Sequence, residues 1–425
     1  TKEEKNLQNA MTEGVIWKQL LLFFFPIVLG TFFQQLYNTA DAIIVGKFVG
    51  KEALAAVGGT TGTLINLLVG FFVGLSSGAS VIISQFFGAR RPDDVSRAVH
   101  TTMALALASG AALTVLGIWS SRAVLVMMGT PEDVLGHAVT YINIYFLGMI
   151  PSLIYNIGSG ILRAVGDTRR PLYFLIFSAV TNTILDLLFV TVFRMGVAGV
   201  AIATILAQFA SAALVLAVLT RTKGDYRIEW RAVRLEKNML GSICALGLPS
   251  AVQFLLTLVA VGALTKFMSL YDTAAVAALG IVKKLDMLPL YFSIGVANGL
   301  LPLLAYNYSA ENHERRHRIF LCGCAVAVGF SVVCVAGYEV FAPALVRIFI
   351  GDAQTIAYGT KLLRIMVLAM PMMSVCYPMI TQFQAMGRMR ESLICSILRK
   401  GSLDIPLLFV LNALFPLYGC AAVQP

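Results

Sequence analysis

Eleven apolar runs, each long enough to cross a bilayer and separated by short loops, fill most of this chain. A helix rises 1.5 Å per residue, so about twenty apolar residues span the hydrocarbon core. Inside that core no water satisfies the backbone, and only helices and closed barrels persist. Runs of this length select helices. They are expected near residues 20–45, 54–87, 97–120, 135–162, 171–193 and 197–219, and then near 241–269, 275–306, 317–345, 358–386 and 392–415. A twelfth begins at Gly419, and the sequence stops at Pro425. The expected fold is an all-α polytopic membrane protein of twelve transmembrane helices, the twelfth truncated.

The two halves repeat. Pro249 answers Pro26, Ala277-Ala278-Leu279-Gly280 answers Ala55-Ala56-Val57-Gly58, and Pro371 answers Pro151. Further on, Ala385-Met386-Gly387 answers Ala164-Val165-Gly166, and Leu407 to Val410 answers Leu187 to Val190. All offsets fall between 220 and 223 residues. A shift of six helices preserves orientation in the membrane, so the pattern is a parallel repeat of two pseudo-twofold six-helix bundles. The expected division is an N-terminal lobe over residues 1–219, a polar linker over 220–240 and a C-terminal lobe over 241–425. Two such bundles in one chain suggest a transporter with a central cavity, and a monomer.

A net charge of +10 would suit nucleic acid if it were gathered in a domain. Instead Lys2, Lys5, Lys18, Arg90, Arg91, Arg163, Arg169 and Arg170 flank alternate loops, as do Arg315, Arg316, Arg388 and Arg390 in the second half. This is a topology signal that places those loops and both termini in the cytoplasm. No nucleic-acid partner is expected. With 58% hydrophobic and 13% charged residues, the compact loops indicate a prokaryotic cell membrane. No cleavable leader is expected before the first span. Seven cysteines, all inside apolar runs and without paired spacing, read as packing residues.

The most informative polar residues lie inside the first span. Thr31, Gln34, Asn38 and Asp41 recur at helical spacing and share one face. A charge at mid-membrane costs about 2.5–3.5 kcal/mol, so a retained aspartate usually faces a cavity and a function. Ser178, Asn182 and Asp186 form a second stripe in the fifth span, and Tyr155, Asn156 and Ser159 a third in the fourth. Three stripes could converge on one pocket. Two carboxylates meeting there cannot both ionise cheaply, so a proton or a cation must be shared between them. Pro26, Pro151 and Pro371 each remove a backbone hydrogen bond within a span and mark expected kinks. The glycines from Gly70 to Gly88 read as close helix packing.

In the second half Lys266, Lys283, Lys284, Arg364, Arg399 and Lys400 lie in or at the edges of spans, opposite only Asp286, Glu339 and Asp404. Snorkelling and pairing, as in Lys283 with Asp286 or Lys400 with Asp404, is one reading. The other is that Lys284 or Arg399 lines the cavity and receives an anionic or zwitterionic part of a substrate.

Taken together, Asn38-Thr-Ala-Asp41 leading to Val45-Gly46, Ser84-Gln85 to Ala89, Leu162-Arg163 to Thr168, Asn182 to Asp186, and Gly299 to Pro302 with Ala305 to Ala310 resemble the multidrug and toxic compound extrusion (MATE) family. The resemblance spans both halves. It implies a secondary active antiporter that exchanges lipophilic, often cationic compounds for H⁺ or Na⁺ by alternating access, with no cofactor. It also implies the branch with its ion site in the N-terminal lobe, at Asp41, Asn182, Asp186 and Thr204, which could hold Na⁺. Gln34, Asn38, Tyr155, Asn156, Lys284 and Arg399 are the expected cavity residues, and Pro26 is the hinge the family pattern indicates. Acids that one branch carries in spans seven and ten are missing here, which argues against a sodium site in that lobe.

Other classes fit less well. No phosphate-binding G-x-x-x-x-G-K-[ST] loop occurs, so ATP does not drive this chain directly. Intramembrane prenyl-transfer enzymes need clustered acids for magnesium, and that pattern does not occur. The letters H-E-x-x-H do occur, at His313-Glu314-Arg315-Arg316-His317, but in a basic stretch at the edge of the ninth apolar run and not within it. A flippase for lipid-linked sugars, of a related fold, is the closer alternative.

Overall fold

The computed structural model describes residues 15–58, 60–271 and 273–423, and they are almost entirely helical. Among them eight helices are long and apolar enough to cross a membrane: Ile16–Phe48, Glu52–Gly88, Pro92–Met127, Arg169–Val192, Gly196–Arg221, Lys237–Met268, Ala274–Ser309 and His313–Arg347. Two further spans are bent pairs, Glu132–Leu147 with Met149–Ala164 and Ala353–Val367 with Met370–Ala385. The eleventh apolar run folds as Met389–Ile397, a π-helical turn at Leu398–Ser402, and Asp404–Leu414. Helix Tyr418–Ala422 follows it. Every apolar run expected to span is helical over its described residues.

The bends have a covalent cause. They measure 53° and 44° and fall just after Leu147 and Val367, the residues four before Pro151 and Pro371. A proline ring clashes with the carbonyl at that position and supplies no N–H to it. The first span, by contrast, runs through Pro26 as one helix.

The repeat is also written in the backbone. Arg90, with φ 55°, corresponds to Glu311 at 59°, Arg194 at 53° to Leu417 at 68°, and Gly166 at 102° to Gly387 at 74°. The first pair of helices ends alike, Arg91 N–H reaching the Phe86 carbonyl and Asn312 N–H that of Asn307. A left-handed residue that satisfies orphan carbonyls is a common helix stop. Here the same stop recurs one repeat later.

The chain forms two compact units. The first is Leu29–Gly247, and the second joins residues 15–28 to 248–423. Both changes of unit therefore occur inside a helix, after Val28 in the first span and after Gly247 in the seventh, each within two residues of a repeat-related proline, Pro26 or Pro249.

In the first unit Val45, Leu125, Ile142, Met149 and Val200 form a fully covered core. Its second and seventh spans cross closely: a Cβ on Gly78 would lie 2.8 Å from Gly247 Cα and collide with the Ile243 carbonyl. The glycine tract thus serves packing at that position. Residues after Arg221 dock on the same unit. Tyr226 and Ile228 are buried, and Ile228 N–H donates to the Leu219 carbonyl. Glu229 N–H donates to His100 Nε2 at 2.9 Å, and Glu236 pairs with Arg97. In the second unit Met268, Val282, Ala342, Leu362 and Met366 form the core. Six of the cysteines are half-buried, Cys420 is buried, and all seven are free. Lys284 is exposed, and the side chain of Lys400 lies outside the described residues.

Candidate functional site

The fifth span sorts its residues by face. Phe177, Val180 and Ile184 are exposed, whereas Asn182 and Asp186 are 0% exposed. Ser178, one turn earlier, donates to the Ala207 carbonyl of the sixth span at 3.1 Å and fixes the pairing of the two helices. Asp41 of the first span, 8% exposed, and Thr204 of the sixth, 3% exposed, complete the group. Four residues from three spans thus come together in the first unit.

Asn182 sits at the centre. Its surroundings orient the amide, because only an NH₂ can face two carboxyl oxygens and only the carbonyl can face an N–H. In that orientation the nitrogen donates to Asp41 Oδ1 at 2.8 Å and to Asp186 Oδ2 at 3.2 Å, and the oxygen accepts from Thr204 N–H at 3.2 Å. One amide nitrogen thus lies between the two carboxyls. The opposite oxygen of Asp186, Oδ1, is buried without a hydrogen-bond partner among the described residues. Among the described residues no three His, Cys, Asp or Glu side chains cluster as metal ligands. Two carboxyls, an amide and a hydroxyl could in principle offer oxygens to sodium. Here, however, the amide turns its nitrogen toward both carboxyls.

Asp41 forms part of the wall of a cavity of about 310 Å³ within this unit. Gln34, Asn38, Tyr155, Asn156 and Thr204, all anticipated from the polar stripes or the family pattern, line the same space, as does Ser178. Asn156 donates to its own helix at the Ser152 carbonyl, 2.9 Å away, which leaves its oxygen available. Asn66, Tyr141, Tyr145, Ser152, Gln208 and Ser211 also line it and were missed in the sequence. One signal was present: Thr204, Gln208 and Ser211 repeat at helical spacing down the sixth span. Tyr141 and Tyr145 stack at 6.3 Å and 25°. The result is an acidic end, an aromatic wall and an amide-rich rim, a surface suited to a flat or apolar cation.

Lys284 and Arg399 belong to the second unit. The Arg399 guanidinium stacks over the Tyr377 ring at 4.5 Å.

The MatE family model matches residues 26–188 and again 249–410, so each half of the repeat carries the family pattern. The chain is a member of the MatE family. It is similar to "Probable multidrug resistance protein YpnP" of Bacillus subtilis (strain 168), with 27% identity over 95% of this chain and 90% of that protein. It is also similar to "Multidrug export protein MepA" of Staphylococcus aureus (strain NCTC 8325 / PS 47), with 23% identity over 95% and 89%. Among solved structures, "Crystal structure of MATE in the straight conformation" superposes with a TM-score of 0.91 at 23% identity, covering 98% of this chain and 93% of that one. The MatE fold of twelve helices in two lobes is therefore the fold of this chain.

Proposed function

We propose that this MatE member is a multidrug exporter of the cell membrane that exchanges lipophilic cations for protons at the pocket of the first unit. The observation that carries the reading is the Asn182 amide donating to both Asp41 and Asp186 on the wall of an aromatic cavity. A donor already occupying the space between the carboxyls favours a proton, which adds to a carboxyl oxygen, over Na⁺, which needs several converging oxygens. Proton loading removes negative charge from the cavity wall and weakens its hold on a cationic drug; proton release restores it. Binding and coupling are then two states of one site. The positive loops support cytoplasmic termini, and a single chain carries the whole site.

Pro26 is proposed as the hinge of the first span. It lies two residues before the change of unit at Val28, so motion there can alter the first helix above Asp41 without unfolding either core. The relatives' names support multidrug export.

Equilibrium binding of tetraphenylphosphonium to the purified protein tests the site. Affinity is expected to rise with pH in the wild type and to lose that dependence in Asp41→Asn. An unchanged pH dependence in the variant would remove Asp41 from the mechanism.

A further inference from the structure

The eleventh apolar run departs from α-helical geometry at the π-helical turn Leu398–Ser402, which contains Arg399. Nε, Nη1 and Nη2 of Arg399 are all buried, and none has a hydrogen-bond partner among the described residues. A guanidinium keeps its charge and offers five N–H donors in a planar fork. Leaving such a charge buried and unbonded is strongly unfavourable. Insertions of this kind in helices recur where function requires an altered register.

The guanidinium of Arg399 has an aromatic neighbour. Tyr377, from the tenth span, covers one face of the guanidinium at 4.5 Å. Ser396, three residues earlier on the same face, donates to the Ser392 carbonyl at 2.9 Å and approaches Gln253 Oε1 of the seventh span at 3.4 Å. Ser374, one turn before Tyr377, is bonded to Ser293 and Ser331. None of the ion pairs among the described residues uses Arg399.

We propose that Arg399, backed by Tyr377, is an anion-receiving site of the second unit, which takes the carboxylate or phosphate oxygens of an amphipathic molecule. A planar oxyanion matches the fork with two parallel hydrogen bonds, which a point charge such as lysine cannot reproduce. The Tyr377 ring accepts the apolar body attached to that oxyanion. The proposal rests on the reading of the chain as an exporter of lipophilic compounds and extends it to anionic and zwitterionic ones. Two sources supply this chemistry, a carboxylate solute or the phosphate of an anionic lipid.

The probe is 1-pyrenebutyrate, with its uncharged methyl ester as the control, bound to the full chain in nanodiscs of phosphatidylcholine alone or with phosphatidylglycerol. Wild type is expected to prefer the acid over the ester by about tenfold, as the loss of a charged hydrogen-bond pair implies. Arg399→Gln removes that preference and Arg399→Lys reduces it, while both leave tetraphenylphosphonium binding, and hence the fold and the first-unit pocket, unchanged. Failure of tetraphenylphosphonium to bind the wild type would overturn the exporter reading without touching the carboxylate result. Preference for the acid that disappears with phosphatidylglycerol assigns the site to a lipid phosphate; preference that persists assigns it to a solute carboxylate. Equal binding of acid and ester by wild type, or an undiminished preference in Arg399→Gln, overturns the proposal.

Discussion

The side-chain nitrogen of Asn182 lies 2.8 Å from Asp41 Oδ1 and 3.2 Å from Asp186 Oδ2, so one neutral amide joins carboxyls from two different spans. Removing it leaves buried acceptors without a donor, at a cost of about 1–3 kcal/mol. Because Asp41 and Asn182 share that bond, Asp41→Asn and Asn182→Ala are expected to be non-additive. A double-mutant cycle on thermal unfolding in detergent should show a coupling of about 0.5–3 kcal/mol. Additive effects would mean the contact carries no energy.

The crossing of the second and seventh spans at Gly78 leaves no room for a methyl group, because the atoms it would meet are backbone. Gly78→Ala should destabilise by about 1–3 kcal/mol through overpacking. Gly280, where an added Cβ meets nothing within 4 Å, is the control. There the same substitution in a helix should stabilise by about 0.5–1 kcal/mol. Unfolding temperatures of the two variants should move in opposite directions.

Glu236 fastens the segment after the sixth span. The Arg97 guanidinium beside it holds its carboxyl below the usual glutamate range, with Arg234 adding to the effect. A depressed folded value means the attachment is complete above the unfolded value and is lost as pH falls through the folded one. Hydrogen exchange of amides 229–236, corrected for intrinsic rate, should therefore accelerate on acidification below the ordinary glutamate range. Glu236→Gln should exchange fast already at neutral pH and lose the component of the acid response that Glu236 supplies. Identical profiles for the two proteins would contradict this.

Pro26→Ala restores an N–H within the first span. If the proline is the hinge, tetraphenylphosphonium binding should be retained while transport turnover falls severalfold, since hinge changes act on the conformational step. Parallel loss of binding would make Pro26 a structural residue of the pocket instead.

Much of this was legible in the sequence, for identifiable reasons. Apolar run length sets the spans, and Pro151 and Pro371 set the bends because a missing N–H acts locally. Polar residues such as Asn38, Asp41, Asn156 and Asn182 stand out against an apolar background, so their faces could be read from spacing alone. Tyr141 and Tyr145 could not, since an aromatic residue in a membrane helix looks the same whether it meets lipid, core or ligand. The docking of residues 222–236 was also hidden. Its key bond uses the Glu229 backbone and the His100 ring, a pairing that no side-chain pattern announces. Nor does sequence spacing reveal that the first and seventh spans change unit midway, because that depends on which neighbours each half touches.

Efflux of tetraphenylphosphonium from proteoliposomes, under a pH gradient alone and a sodium gradient alone, compares the wild type with Asp41→Asn most directly. Proton coupling at the Asp41–Asn182–Asp186 group predicts transport driven by the pH gradient, none driven by sodium, and loss in the variant. Transport sustained by sodium alone, or full pH-driven transport in Asp41→Asn, would contradict it.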